Sequence, residues 1–169
     1  IFFNFFIADC PVKQPSYADD LTFSRSAVRV QEIEGGLQQD LDQVCSWADW
    51  KKLVIAPAKC SVTFFTPDKS HESNVHPQIK INNVAIPLDK NPRILGVTFD
   101  PHLHFHAHVR SKARDGRQRL CILRSLAGAS WGCLRENLLC TYKSHIELAV
   151  SYASPVWSPN ISDSSKNDL

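Results

Sequence analysis

Two adjacent carboxylates in Tyr17-Ala18-Asp19-Asp20 open a short apolar arm, Leu21-Thr22-Phe23, at a point where Asp favours a turn over a strand interior. Hard divalent cations take oxygen ligands held on a rigid support, and the tip of a hairpin offers them beside an open groove. Two cations held in this way activate an attacking oxygen and neutralise a leaving phosphate. With three Tyr and twelve Asp in 169 residues, Y-x-D-D has a chance expectation of about 0.015. The bland alternative is a pair of solvated turn residues.

Two further groupings could carry chemistry. Arg110, Lys112, Arg114, Arg117, Arg119 and Arg124 are opposed only by Asp115 between residues 110 and 124. Phosphate backbones reward such a cluster through counterion release, and the excess is too large for i,i+4 pairing with acids, although a solvated helix face is the alternative. On a helix Arg110 and Arg114 share one face, as do Lys112 and Arg119. Reversing Arg110, Arg114 and Arg117 to Glu should flatten the salt dependence of nucleic-acid binding. His102, His104, His106 and His108 alternate and would imitate a metal site on a strand, but the segment reads as a loop entering a helix, where only His104 and His108 are spaced i,i+4. His108 then reads as a packing or capping residue, and Trp131 and Trp157 as core or interface residues.

The elements that must position these residues follow from periodicity. Val30, Ile33, Leu37, Leu41, Val44 and Ala48 form one helical stripe, with Gly35-Gly36 leaving its start open between Val30 and Leu37. Short β-branched and aromatic runs at 61–66, 78–82, 84–87 and 93–100 read as strands, with Asn82-Asn83 as a tight turn. Helices return over 105–126 and 134–150, and the polar tail after Trp157 reads as loop. Ile1 to Asp9 reads as the end of a buried helix stopped by Pro11.

Composition bounds the class. At 43% hydrophobic and 21% charged the chain is ordinary globular protein, about one domain long, and it has no internal repeat. Its net charge of +2 hides a polarity: residues 1–50 carry eight acids and three bases, residues 51–169 nine acids and sixteen bases. Six cysteines without a C-x-x-C pair argue against a zinc ribbon or a disulfide framework and for a reducing, intracellular setting. The apolar opening lacks the basic leader of a signal peptide and the roughly 20 residues of a membrane span. The absence of Met and the abrupt start read as a piece of a longer reading frame.

The order of motifs resembles the reverse transcriptases of non-LTR (LINE-type, jockey-like) retrotransposons. Tyr17 to Asp20 is similar to their Y-A-D-D motif, and Phe3-Asn4-Phe5-Phe6-Ile7-Ala8-Asp9-Cys10-Pro11 to the helix end that precedes it. Trp47 and then Leu53-Val54-Ile55-Ala56-Pro57-Ala58-Lys59-Cys60 match the helix and L-x-I-x-P-x-K segment that follow. Ile81 and Ile86, Leu95-Gly96-Val97 to His108, Tyr142-Lys143-Ser144-His145-Ile146 and Tyr152 to Trp157 continue the correspondence over nearly the whole chain.

The resemblance implies an α+β fold. Residues 1–103 would form the later part of a polymerase palm, an antiparallel sheet backed by helices, and 104–169 a helical thumb. It implies RNA-directed DNA polymerisation, with an RNA template, a DNA primer and dNTP as partners, and nuclear action. Asp19 and Asp20 would be catalytic and would hold two Mg2+, Asp19 more directly, together with an upstream carboxylate not in this chain. Lys59 would stand near the departing pyrophosphate, or be a solvated loop lysine. Leu95-Gly96 would form the primer grip, or a strand bend needing a glycine, and the basic run would lie beside the template–primer duplex.

The third carboxylate motif and the P-Q-G-S loop of the family have no counterpart in this sequence, so the isolated chain is expected to be inactive without the upstream fingers and palm segment. Pro15 and a short spacing before Tyr17 suggest a truncated first hairpin arm and leave a decayed element copy as one alternative. A non-catalytic nucleic-acid-binding module and a zinc-binding interaction protein are the others. No membrane partner is expected.

Overall fold

The computed structural model describes residues 8–12, 15–17, 20–67, 77–128 and 131–161. They divide between two compact units, one within residues 1–64 and 70–89, the other within 65–69 and 90–169. The expected helical ending over residues 1–7 lies outside the described residues.

In the first unit the hairpin β1 (Ser16–Tyr17) and β2 (Asp20–Leu21) pairs Tyr17 with Asp20 and Ser16 with Leu21. The ladder is short because Pro15 has no N–H to extend it, although its carbonyl still accepts from the Thr22 amide at 3.2 Å. Helix α1 (Val30–Trp50) takes in the whole apolar stripe and runs straight through Gly35-Gly36. Burial of that stripe outweighs the propensity cost of about 1 kcal/mol per glycine.

The stripe faces the hairpin β3 (Lys80–Ile81) and β4 (Val84–Ala85). Ile79, Ile81 and Ile86 are buried, with Leu37, Leu41, Cys45, Ile55, Cys60 and Val62 packed around them. Asn82 and Asn83 make the turn at φ 49° and 65°, the left-handed conformation Asn tolerates. Polar α1 residues complete the free edge of β3. The Gln38 amide both donates to the Lys80 carbonyl and accepts from its N–H at 2.9 Å, and Glu34 accepts from the Gln78 amide. At the other end of α1, Asp9 accepts from Trp47 Nε1 and pairs with Lys51 at 2.7 Å.

The segment 61–66 is not a regular strand. Val62 makes one isolated parallel bridge to Leu88, and Pro87, lacking an N–H, cannot carry the ladder further. The run 93–100 is likewise not one strand but a hairpin, β5 (Arg93–Ile94) and β6 (Val97–Thr98), reversed at Leu95-Gly96.

The second unit builds on α2 (His106–Ser125). Asp100 organises its entry, accepting the backbone N–H groups of His102, His104 and Phe105. Val97, Phe105, Val109, Trp157 and Ile161 form its buried core. The expected helix 134–150 is α3 (Arg135–Thr141), a π-helical turn (Tyr142–Glu147) and α4 (Leu148–Ser151). Gly116 lets this run pass close to α2, since a Cβ there would meet Val150 at 3.1 Å. After α5 (Ser154–Trp157), a 3-10 turn at Ser158–Asn160 carries Ile161 into the core, so the chain beyond Trp157 starts as structure rather than loop. Trp157 is a core residue, whereas Trp131 is 69% exposed.

The fold is mixed α+β. Among the described residues the expected sheet takes the form of three separate antiparallel hairpins, of which β3–β4 packs against α1 and β5–β6 against α2.

Candidate functional site

The β1–β2 hairpin sets Asp20 at the corner of a two-residue turn, opposite Tyr17, and leaves both exposed. Ala18 and Asp19 lie outside the described residues. The donor chemistry at this corner is oxygen, which suits a hard cation, but Asp20 is one carboxylate. Among the described residues no group of three or more His, Cys, Asp or Glu comes together as a metal site. The described residues therefore do not by themselves complete a magnesium site. Lys59, in the same unit, ends the 3-10 turn Pro57–Lys59 with an exposed side chain.

Behind the hairpin, the chain leaving β2 carries Arg25 onto α1. Its Nε and Nη2 each donate to the Asp40 carboxylate at 2.6 Å. Asp40 is only 5% exposed, and the guanidinium holds its carboxyl below the ordinary carboxylate value while the carboxylate raises Arg25. The arginine stem lies along Gly36, 3.8 Å from where a Cβ would sit. Motif and periodicity do not identify this anchor, yet it leaves a signal in the sequence: Asp40 falls three residues after Leu37 and four before Val44, an acid inside the apolar stripe.

In the second unit Leu95 and Gly96 form the β5–β6 turn with φ of 47° and 81°. Only glycine takes the second of these without strain. Tyr152 Oη donates to the Leu95 carbonyl at 3.0 Å, and Lys112 Nζ stands 5.4 Å from the centre of the Tyr152 ring. The structure thus brings the Leu95-Gly96 turn and one member of the basic run to a single tyrosine.

The six basic residues divide by face. Lys112 is half-buried and donates to the Ala149 carbonyl at 3.1 Å; Arg119 donates to the His145 carbonyl in the π-helical turn. Both fasten α2 to the neighbouring helical run. Arg110, Arg114, Arg117 and Arg124 have exposed side chains, and Arg114 reaches Asp115 only at 3.8 Å.

His108, 2% exposed, accepts the Thr98 N–H on Nδ1 at 3.2 Å and packs on Trp157 at 5.7 Å between ring centres. Accepting on Nδ1 places the proton of the neutral ring on Nε2, which finds no partner among the described residues. Burial, and then Lys112 and Arg93, lower its pKa from the ordinary histidine value. His102 instead sets Nδ1 2.8 Å from the Thr66 carbonyl, and His104 and His106 stack on each other. These histidines pack and cap rather than converge on a metal. Among the described residues, no helix is long and apolar enough to cross a membrane.

These features lie in a mixed α+β chain that is similar to known proteins over most of its length. The chain is 27% identical over 142 residues to the probable RNA-directed DNA polymerase from transposon BS of Drosophila melanogaster, covering 84% of this chain and 15% of that protein. It is 26% identical over 151 residues to the RNA-directed DNA polymerase from mobile element jockey of Drosophila funebris, covering 89% of this chain and 16% of that one. The resemblance to the reverse transcriptases of jockey-like elements therefore extends over most of the chain, while the chain spans about one-sixth of the length of these curated relatives. No family model and no solved structure matches it.

Proposed function

We propose that this chain is the later palm and the thumb of an RNA-directed DNA polymerase from a non-LTR retrotransposon. The observation that carries the reading is similarity to two RNA-directed DNA polymerases over 84% and 89% of the chain. In this reading residues 1–103 belong to the palm and 104–169 to the thumb. The substrates are an RNA template, a DNA primer and dNTPs, and the work is done in the nucleus.

Asp19 and Asp20, with a carboxylate from elsewhere in the longer polypeptide, would hold Mg2+, which lowers the charge barrier to attack of a primer 3′-hydroxyl on the α-phosphate. The chain's own contribution is positioning. The Arg25–Asp40 pair ties the segment leaving the hairpin to α1. Lys59 offers a cation for the pyrophosphate, the Leu95-Gly96 turn offers backbone to the primer, and the exposed α2 arginines offer charge to the duplex.

The test is RNA-templated dNMP incorporation by the longer polypeptide that contains this chain. Asp20→Asn should reduce incorporation at least about 100-fold, as expected where a charge-stabilising group is removed, while Asp42→Asn on the exposed side of α1 should not. Equal activity of Asp20→Asn and the parent would refute the assignment. The 169-residue chain by itself should incorporate nothing.

A further inference from the structure

The Leu95-Gly96 turn is held from one side. Tyr152 places its hydroxyl 3.0 Å from the Leu95 carbonyl, and its ring edge lies 3.3 Å from where a Cβ on Gly96 would sit. Tyr152 is itself locked. Its carbonyl accepts Trp157 Nε1 at 2.9 Å, the next residue, Ala153, turns the chain at φ 55°, and Trp157 is buried in the core. Lys112 Nζ stands 5.4 Å from the centre of the same ring and donates to the Ala149 carbonyl. A two-residue turn with both residues at positive φ has few intrinsic contacts, and Leu95 is not a residue that favours the conformation. An external hydrogen bond to its carbonyl fixes the plane of the Leu95–Gly96 peptide, and with it the direction in which the turn presents its backbone. Tyr152 remains 51% exposed, so its burial alone does not account for this arrangement.

We propose that Tyr152 is a positioning residue that sets the Leu95-Gly96 turn through its hydroxyl, and so governs how that turn meets the primer end of the reading above. The second half rests on the polymerase reading above; the first does not.

The experiment uses the 169-residue chain, its Tyr152→Phe variant and a Gly96→Ala variant. Amide exchange by NMR reads the hairpin, and fluorescence anisotropy compares an RNA–DNA hybrid bearing a recessed 3′-end with a blunt hybrid of equal length. Removing one hydroxyl should raise exchange at Val97 and at Phe99, whose amide donates across the hairpin to Pro92, about three- to tenfold, the range for loss of a single hydrogen bond, with amides in the middle of α2 unchanged. The preference for the recessed end should fall toward one while blunt-duplex affinity and its salt dependence stay at the parent level. A purely structural tie would not produce that split. Gly96→Ala, forced to φ 81° against the tyrosine ring, should reproduce both effects.

Unchanged exchange in Tyr152→Phe overturns the clamp. Raised exchange with the end preference intact overturns the role toward the primer. If the parent chain binds neither hybrid, the primer half of the proposal fails, exchange still decides whether Tyr152 holds the turn, and the polymerase reading stands or falls separately on the Asp20→Asn incorporation test.

Discussion

The division of the basic run by face yields a quantitative expectation for nucleic-acid binding. Arg110 and Arg114 stand one turn apart on the exposed side of α2, whereas Lys112 points into the unit and donates to the Ala149 carbonyl. Each phosphate neutralised contributes roughly 0.9 to the slope of log K against log salt on a duplex. Arg110→Gln with Arg114→Gln should therefore flatten the slope by about 1.8, so that between 50 and 200 mM salt the parent loses about twelvefold more affinity than the double variant. Lys112→Gln should leave the slope where it is. It should instead lower the melting temperature, because it removes a donor from the Ala149 carbonyl and a cation from the Tyr152 ring. Anisotropy titrations of a labelled hybrid at four salt concentrations, with thermal melts of the same preparations, read both quantities. A Lys112→Gln slope that falls as far as that of the double variant would refute the assignment of faces.

Gly35→Ala should stabilise the chain by about 1 kcal/mol in denaturant melts, since a Cβ there meets nothing within 4 Å and α1 is continuous through the position; a loss of stability would mean that this face of α1 is covered. Arg25→Lys, which keeps the charge but gives up the two-pronged grip on Asp40, should lower the melting temperature, and an unchanged melt would show that the pair does not hold the segment leaving the hairpin. His108 is lowered below its ordinary 6.5 by burial, and then by Lys112 and Arg93. The unfolded chain therefore binds the proton first, so the stability His108 contributes is complete above pH 6.5 and is lost as pH falls through its folded pKa. Its ring NMR signals should titrate below the ordinary 6.5, and a His108 midpoint at or above that value would contradict the buried neutral ring.

How far the sequence discloses this structure depends on the range of the interactions involved. The α1 stripe and the Asn82-Asn83 turn are legible because a single element's period or a single turn's φ preference determines them. The Leu95-Gly96 turn is legible through the family resemblance, which implies a primer-grip hairpin there, but not from composition, because an apolar run from Arg93 to Asp100 hides a left-handed Leu that tertiary contact to Tyr152, 57 residues away, holds in place. Helix 134–150 is legible as helix but not as π-helical over 142–147, where Arg119 meets the His145 carbonyl from another element. The segment 61–66 has strand composition but no ladder to join beyond Leu88, since β-propensity describes a surface that needs a partner.

The candidate site shows the same division more sharply. The Y-A-D-D carboxylates announce themselves because the chemistry needs those residue types in sequence, and a hairpin corner is a local object. What ties the segment leaving the hairpin to α1 is not local. Arg25 reaches Asp40 across 15 positions, Asp40 lies on the buried side of α1, and the arginine stem passes over Gly36. Read singly, the glycine is a helix defect, the aspartate a break in an apolar stripe and the arginine a loop cation. The aspartate and the arginine form one device, since a buried carboxylate needs a charged partner and the guanidinium gives it two donors. Local rules broken at two positions within one contact are better evidence for a tie between the hairpin's exit and α1 than either of them alone, and they direct mutagenesis to Arg25 and Asp40 alongside the carboxylates themselves.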